Sequence, residues 1–289
     1  MRISLNVTDY SWSGPTGQRL TDVAHAADEA GIDTVWVSDH LLQADPTSTV
    51  DADMLEGYTT LGFLAAATTR VRLGTMVTAA TYRAPALLVK AVTTLDVLSG
   101  GRAWLGIGAG YHEVEAAAYG LDLPPKRERF SRLEETLRVA LRMWEGDESA
   151  FVGSHYSLER PMNHPNSVRR PHPPVLVGGM GERRTLRLVA QYADACNLPD
   201  IPDGGVTVRR KLDVLAEHCE AVGREFGAIE KTLSTRWVAG ESAESFVDRC
   251  GVYAGWGIGH VVLITSGPWE ADGVAVLGEA VRALGTPRT

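Results

Sequence analysis

Three glycines and two arginines lie close together near the middle of the chain, where an apolar run gives way to polar residues. They belong to the segment Leu176-Val-Gly-Gly-Met-Gly-Glu-Arg-Arg-Thr-Leu. Glycines let backbone N–H groups approach an anion closely, and the first turn of a following helix adds a favourable dipole. Arg183 or Arg184 at that turn would neutralise a phosphate through charge-assisted hydrogen bonds. A tight turn with solvated arginines is the alternative, and these residues alone leave both interpretations open.

A second glycine run, Leu105-Gly-Ile-Gly-Ala-Gly-Tyr-His, also follows apolar residues. Gly108, Ala109 and Gly110 carry little or no side chain, so a flat ligand would be able to lie against their backbone. The spacing differs from the dinucleotide-binding fingerprint, which belongs in a first strand–helix turn. Taken alone, the run is more simply interpreted as a turn in which the glycines serve only the backbone conformation.

Asp39 and His40 are the third candidate, at the end of the run Trp36-Val-Ser-Asp-His. Histidine titrates near neutral pH, which suits it to moving a proton beside a redox or acyl centre. Asp39 is suited to accepting a hydrogen bond from a ligand or to capping a helix. A structural, hydrogen-bonded histidine is the alternative, although a position at a catalytic rim favours the functional interpretation.

Metal and serine-nucleophile chemistry find no support in the spacing. The eight histidines are scattered, and His112 has no histidine partner one helical turn away. No Gly-x-Ser-x-Gly elbow occurs in the sequence. We therefore expect no metal site and no serine hydrolase. Trp12, Tyr82 and Trp269 are suited to lining a pocket, but packing within the fold is the commoner role of such aromatic residues.

Composition limits the class of protein further. The net charge of −8 argues against a nucleic-acid or anionic-membrane partner, which would need a basic surface. No stretch is apolar enough to span a membrane, and the first residues resemble a strand rather than a signal peptide. Three cysteines, an odd number without metal-ligand spacing, favour reduced thiols and a cytoplasmic protein.

The elements that must position these residues alternate along the whole chain. A short apolar or β-branched run is followed by a helix-period stretch eight times, which predicts parallel strands joined by helical crossovers. Eight units favour an α/β fold of the (β/α)8 barrel type, with one domain over residues 1–289. The predicted strands are Ile3–Val7, Thr34–Val37, Val71–Val77, Ala103–Ile107, Pro174–Val177, Ala193–Leu198, Leu233–Val238 and His260–Ile264.

Three long connections interrupt this alternation. Asp39–Leu55 and Gly108–Lys126 leave the carboxyl ends of strands, where barrel enzymes build their sites. Asp147–Pro173 joins a helix to a strand and should reach the opposite face, so we expect packing or an oligomer contact there. Its segment Phe151–Leu158 alternates around a Gly-Ser turn and predicts a small hairpin.

Several motifs in a fixed order closely resemble the bacterial-luciferase-like superfamily, and most of all its branch of oxidoreductases that use the deazaflavin coenzyme F-420. They are Leu73-Gly-Thr-Met-Val-Thr-Ala-Ala-Thr-Tyr-Arg-Ala-Pro-Ala, Leu95-Asp-Val-Leu-Ser-Gly-Gly-Arg, Leu105-Gly-Ile-Gly-Ala-Gly-Tyr-His-Glu, Glu128-Arg-Phe-Ser-Arg-Leu-Glu-Glu and Arg170-Pro-His-Pro-Pro-Val-Leu-Val-Gly-Gly. The resemblance extends from the first strand to about Pro199.

This resemblance implies a barrel with the deazaflavin or flavin ring in its mouth and a non-proline cis peptide at Met76–Val77 behind the ring. It implies that His40 transfers the proton that accompanies the hydride. It also implies cofactor contacts from the second, third, fourth and fifth strands. The corresponding residues are Asp39, Thr75, Met76, Val77, Gly108, Ala109, Gly110, Val177, Gly178, Gly179, Gly181 and Arg183.

We therefore expect hydride transfer between coenzyme F-420 and a small organic substrate. In the sugar dehydrogenases of this branch an acidic residue follows the glycine at position 110; Tyr111 stands there instead, and the basic sugar-phosphate pocket has no clear counterpart. A monooxygenase that uses flavin mononucleotide (FMN) shares the Ser-Asp-His pattern and is the first alternative. A barrel that binds a cofactor without turnover is the second. The resemblance also implies a possible homodimer, since related barrels often pair through the helices after the second and third strands, and Leu87–Leu98 is apolar enough to allow it.

Overall fold

The computed structural model describes residues 1–238 and 240–285 of the chain. Its strands are β1 (Arg2–Val7), β2 (Thr34–Val37), β3 (Arg72–Thr75), β4 (Thr78–Ala79), β5 (Leu105–Gly108), β6 (Phe151–Val152), β7 (Ser157–Leu158), β8 (Val175–Gly178), β9 (Ala195–Pro199), β10 (Glu230–Arg236) and β11 (His260–Ile264). Its α-helices are α1 (Thr16–Ala30), α2 (Gly57–Ala67), α3 (Pro85–Ser99), α4 (Glu113–Ala118), α5 (Lys126–Glu145), α6 (Thr185–Tyr192), α7 (Val206–Ala221), α8 (Ala243–Gly255) and α9 (Ala271–Ala283).

The parallel strands close into a barrel through one interrupted strand. Their hydrogen-bonded order is β3-β2-β1-β11-β10-β9-β8-β5-β4, in which β3 and β4 are two halves of a single strand. β3 pairs with β2, β4 pairs with β5, and a bridge joins Leu73 to Ala103. The predicted single-domain (β/α)8 barrel is therefore confirmed. Its predicted limits at residues 1 and 289 stay a prediction, since residues 286–289 lie outside the described part.

Alternation along the strands separates two buried layers. The outward-facing Ile3, Leu5 and Val7 of β1 pack in the main core beneath the helices. A second cluster fills the interior of the barrel and consists of Trp36, Trp104, Leu176, Ala195 and Val262. A ligand of the barrel must therefore bind above this inner cluster, at one end of the strands.

Two glycines make room for the interior tryptophans. A Cβ atom on Gly74 would lie 2.7 Å from the Trp36 ring, and one on Gly106 would lie 1.8 Å from the carbonyl oxygen of Thr75. The ring centroids of Trp36 and Trp104 are 5.5 Å apart. Side chains at either glycine would displace a ring or the backbone, so the glycines allow this dense packing.

The third predicted strand, Val71–Val77, is wrong as a continuous element. The chain leaves the ladder at Met76 and Val77, whose peptide bond is cis, and returns to it at Thr78. Apolar and β-branched residues continue through this point, so the sequence pattern does not reveal the break. Most other strand ends differ from the prediction by one to three residues. Helix α4 was not predicted, because six residues are too few to show a helical period.

Glycine caps fix the ends of three helices. Gly31, Gly100 and Gly146 follow α1, α3 and α5 in the left-handed conformation, with φ of 77°, 70° and 81°. Glycine adopts this conformation without the steric cost of a side chain. These caps set the lengths of the helices and return the chain to the next strand.

The segment between α5 and β8 packs on the outside of the barrel, as expected. Its hairpin of β6 and β7 is antiparallel and confirms the prediction. Lys90 of α3 donates to the carbonyl of His164 at 2.6 Å, and Asp96 accepts from the backbone amides of Val168 and Arg169 at 2.7 and 2.9 Å. These contacts attach the segment to α3.

Candidate active site

The carboxyl ends of β4, β5 and β8 meet at a narrow apolar floor. The cis peptide bond lies at Met76–Val77, as the resemblance implied. A Cβ atom on Gly108 would lie 3.0 Å from Val77 Cγ2, and one on Gly178 would lie 3.1 Å from Val77 Cγ1. Side chains at these two positions would crowd the valine. The glycines thus let Val77 form a floor on which a flat ligand fits.

Two rim loops next to this floor contain glycines in the left-handed region. Gly110 has φ of 74° and Gly179 has φ of 109°, so both turns require glycine. Arg129 donates to the carbonyl oxygen of Gly110 at 2.9 Å. The backbone N–H of Gly179 donates to the carbonyl of Asn197 at 3.2 Å. The two predicted glycine runs therefore lie at the same end of the barrel, on either side of the floor.

The arginine turn differs from its prediction in one respect. Helix α6 begins at Thr185, so Arg183 and Arg184 precede the helix instead of lying in its first turn. Arg183 is exposed in the turn before the helix, and Arg184 lies over the ring of Phe130 at 5.6 Å. Gly181 precedes them and is also exposed. This turn leaves Arg183 available to a negatively charged ligand at the rim.

Two further residues of the predicted cofactor set are fully buried. Val177 packs in the main core, so its side chain faces the helices and only its backbone borders the rim. The hydroxyl of Thr75 lies 2.8 Å from that of Thr78 and donates to the carbonyl of Gly106 at 3.0 Å. Their direct contact with a cofactor stays a prediction.

His40 is held at the rim by a buried carboxylate. Its Nδ1 lies 3.0 Å from Oε2 of Glu115, a residue of α4 that is fully buried. The other oxygen of Glu115 accepts from the backbone amide of Leu41 and, at 3.0 Å, from that of Leu42. A carboxylate beside Nδ1 fixes a proton on that nitrogen and leaves Nε2 to accept another. The arrangement is that of a positioned proton acceptor.

Two tyrosines complete the surroundings of His40. Tyr82 donates a hydrogen bond to Glu115, and the Tyr111 hydroxyl lies 3.3 Å from His40 Nε2. Burial would raise the pKa of Glu115, but the hydrogen bonds from His40 and Tyr82 outweigh it and lower that pKa to about 2. Burial and the charge of Glu115 raise the pKa of Tyr111, so its hydroxyl keeps its proton and donates to the imidazole.

Asp39 lies beside His40 in sequence but has a different environment. It is 2% exposed, and Arg83 donates to its two oxygens at 2.6 and 2.9 Å. Arg83 also donates to Glu56 at 2.6 Å. Burial raises the pKa of Asp39 against the opposing effect of these hydrogen bonds. The predicted cofactor contact of Asp39 therefore requires a ligand that shares this carboxylate with Arg83.

Glu115, Tyr111 and Arg83 were not predicted as members of the site. Glu115 has the sequence context of an ordinary helix carboxylate, and 75 residues separate it from His40. Tyr111 was noted only as a departure from the family pattern. Arg83 stands in a motif that carries the resemblance, which was the one available signal. The partners of a side chain at the rim depend on which loops contact each other there. The hydrophobic periodicity of the sequence carries no information about those loop contacts.

A cavity of about 570 Å³ lies at the opposite end of the barrel and is rich in arginine. Several of its arginines have structural partners: Arg2 pairs with Glu230 at 2.7 Å, and Arg72 pairs with Asp33. Arg102 donates to carbonyls at the end of α2. The carbonyl ends of helices surround this cavity, so we place the chemistry at the carboxyl ends of the strands.

Three further expectations concern metal sites, membrane spans and the cysteines. Within residues 1–238 and 240–285, no group of histidine, cysteine, aspartate and glutamate side chains has the arrangement of a metal site. The helices of the same residues are all too short or too polar to cross a membrane. Cys196, Cys219 and Cys250 are buried free thiols, as predicted from their number.

Comparison with known proteins places this geometry in a family. The model of the luciferase-like monooxygenases matches residues 3–280. An F420-dependent glucose-6-phosphate dehydrogenase of Kineococcus radiotolerans is 35% identical over 233 residues, which cover 75% of this chain and 63% of that protein. The chain thus aligns with less than two thirds of this relative's length.

Solved structures show the same architecture at low sequence identity. An F420-dependent secondary alcohol dehydrogenase, solved with an F420–acetone adduct, superposes with a TM-score of 0.84 at 19% identity, over 99% of both chains. The monooxygenase RslO1 from Streptomyces bottropensis superposes with a TM-score of 0.81 at 18% identity, over 99% of this chain and 100% of that one. These two likenesses show the fold alone. The family match covers the barrel from β1 into α9, and the protein belongs to the luciferase-like monooxygenase family.

Proposed function

We propose that the protein is a coenzyme F-420-dependent oxidoreductase that transfers a hydride between the deazaflavin and a small organic substrate. The observation that carries the proposal is His40 at the rim, with Nδ1 held by Glu115 and Nε2 within 3.3 Å of the Tyr111 hydroxyl. A substrate hydroxyl would take the place of Tyr111 as the group whose proton Nε2 accepts. The relative from Kineococcus is named an F420-dependent dehydrogenase, which supports the same cofactor.

The residues at the mouth fit a flat ring with a phosphate tail. The floor of Val77, opened by Gly108 and Gly178, would support the ring, and Gly179, Gly181 and Arg183 would bind the phosphate. Ala109 and Gly110 would border the ring through their backbone. When bound, the deazaflavin supplies the hydride donor or acceptor.

The residues of the chain have separate tasks in this proposal. His40 Nε2 accepts the proton of a substrate hydroxyl during oxidation, or donates it to a carbonyl oxygen in the reverse direction. Glu115 keeps the imidazole in one tautomer and stabilises its charged form. Tyr111, whose raised pKa keeps it protonated, donates a hydrogen bond to the reacting oxygen.

A side-by-side titration with coenzyme F-420 and FMN tests the cofactor assignment. We expect selective binding of the deazaflavin, and Gly178→Ala should weaken it roughly tenfold, about 1.4 kcal/mol, because the new Cβ atom displaces Val77. Gly62→Ala adds a methyl group in open space on α2 and serves as the control. Preference for FMN, with turnover that consumes oxygen, would instead support the monooxygenase. Binding of a cofactor without turnover of any substrate would support the second alternative, a barrel that only binds the cofactor.

We also propose that two copies pair through α2 and α3. Leu87 and Leu98 of α3 are 63% and 74% exposed, and Phe63 of α2 is 46% exposed, although all three are large and apolar. Such side chains favour burial against a partner. We expect Leu87→Glu with Leu98→Glu to convert a dimer to a monomer in light scattering after gel filtration. Val252→Glu, an exposed position on α8, is the matched control, and an unchanged mass in the double variant would contradict the pairing.

The cellular setting follows from composition. Three buried unpaired thiols favour the reducing cytoplasm, and the charge of −8 disfavours nucleic acid and anionic membranes as partners. Small molecules are therefore the ligands that we propose.

A further inference from the structure

The inner face of β1 carries a line of polar side chains that leads to the mouth. Ile3, Leu5 and Val7 face the helices, so the residues between them face the interior of the barrel. The Ser4 hydroxyl lies 2.5 Å from His260 Nε2, deep in the barrel. Asn6 comes next towards the carboxyl end, and Thr8 follows with the same alternation just beyond the strand. We call Asn6 and Thr8 the β1 pair.

Two side-chain oxygens of the β1 pair are buried without a hydrogen bond, although Thr8 as a whole is only half-buried. Asn6 is 3% exposed, and its Oδ1 and the hydroxyl of Thr8 have no partner among the described residues. The neighbouring Asn197 differs, since its amide donates to Thr232 at 2.8 Å and its oxygen accepts from Ser234 at 3.0 Å. Burying an unpaired polar group costs free energy, and a ligand that supplies the partner recovers that cost.

The position of the β1 pair relative to the other site residues favours a substrate as this ligand. β1 lies beside β2, with Asn6 opposite Trp36 and Val7 opposite Val37, so Thr8 lies next to the segment that leads to His40. In the ring of eight strands, β1 is across the barrel from β8, whose Gly178 lies against the Val77 floor. A molecule between the floor and β1 contacts both.

We propose that Asn6 and Thr8 bind a neutral hydrogen-bonding group of the substrate, separate from the oxygen that reacts at His40; this rests on the proposed function. The substrate class is an uncharged alcohol or carbonyl compound with a second hydroxyl, carbonyl or amide group. Neither residue of the pair is charged. Two arginines at the ends of neighbouring strands already have carboxylate partners: Arg236 binds both oxygens of Asp45 at 2.7 and 2.9 Å, and Arg83 binds Asp39.

The first test measures melting temperature without any ligand. Asn6→Leu and Thr8→Val keep the size of each side chain and remove the unpaired oxygen, so the melting temperature should stay the same or rise. Asn197→Leu is the matched control, because both polar atoms of the Asn197 side chain are paired, with Thr232 and Ser234, and the loss of these hydrogen bonds should lower the melting temperature. A lower melting temperature for Asn6→Leu as well would indicate a structural partner, such as a water shared with the indole of Trp36, and would overturn the proposal.

The second test measures ligand-induced shifts in melting temperature with four probes. We expect 1,2-propanediol to raise the melting temperature of the wild type more than 2-propanol, which lacks the second hydroxyl group. We likewise expect glucose to raise it more than glucose 6-phosphate, which carries charge. Both variants should lose this preference and keep their affinity for coenzyme F-420 within twofold. A preference retained in the variants, a preference for the phosphate, or no shift with any probe would overturn the substrate class. If the wild type fails to bind the deazaflavin, the proposed function fails, while the first test still decides whether Asn6 serves the fold.

Discussion

Replacing His40 by asparagine is expected to lower turnover by about 10²–10⁴-fold while the affinity for the deazaflavin stays unchanged. A positioned general base contributes roughly this factor, which corresponds to about 3–5 kcal/mol in the activation free energy. Asparagine keeps a polar side chain at the rim but accepts no proton at neutral pH. The measurement combines steady-state rates with a parallel fluorescence titration of the cofactor.

Two comparisons make the His40 result specific. His25→Asn changes an exposed histidine on α1 and should leave both rate and affinity unaltered. Unchanged turnover in His40→Asn would remove the histidine from the mechanism. A parallel loss of deazaflavin binding would assign it to the cofactor site instead.

Glu115→Gln is expected to combine a loss of turnover with a loss of stability. Glutamine has nearly the same shape, but its amide donates to His40 Nδ1 and therefore favours the opposite tautomer, which places a proton on Nε2. We expect a fall in turnover of about 10²–10⁴-fold, since the base is then protonated at the wrong nitrogen. The variant should still bind the cofactor, because Glu115 lies beneath His40 and not at the floor.

The stability effect of Glu115 has a defined pH dependence. The fold lowers the pKa of this carboxyl group from 4.5 to about 2, so its ionised form is stabilised in the folded state. The contribution of this carboxylate to the free energy of unfolding is fully present above pH 4.5, where the carboxyl group of the unfolded chain is also ionised. It is lost as the pH falls towards 2. Its size is roughly 3 kcal/mol. Denaturant unfolding at pH 7 should show this difference in the free energy of unfolding between the wild type and Glu115→Gln. At pH 4 the difference should be smaller by roughly 1 kcal/mol.

Glu113 provides the matched control for this prediction. It lies on the same helix, α4, but its side chain is exposed. Glu113→Gln should change the free energy of unfolding by less than about 0.5 kcal/mol and leave turnover intact. A Glu115→Gln variant as stable as wild type at pH 7, or one whose stability gap ignores pH, would contradict the role that we assign to the carboxylate.

The sequence contained enough information to predict the barrel and the end at which its site lies. Strand and helix periods are local properties, and parallel strands joined by helices bring every strand end to one rim. The glycines at positions 108 and 178 were also readable, because only a missing side chain allows a backbone to approach a ligand. His40 was found for a similar local reason, since it follows a strand directly.

The tertiary structure alone decided how these residues are supported. It paired His40 with Glu115 across 75 positions, and Asp39 with Arg83 across 44. The interruption of the third strand at Met76–Val77 is a different case, because the apolar pattern does not show it and only the family resemblance implied it. The tertiary structure also left Asn6 buried without a partner for its oxygen, although alternation predicts only that this residue faces inward. Local periodicity fixes the direction of a side chain, but its partners are set by the loops that meet at the rim when the barrel closes.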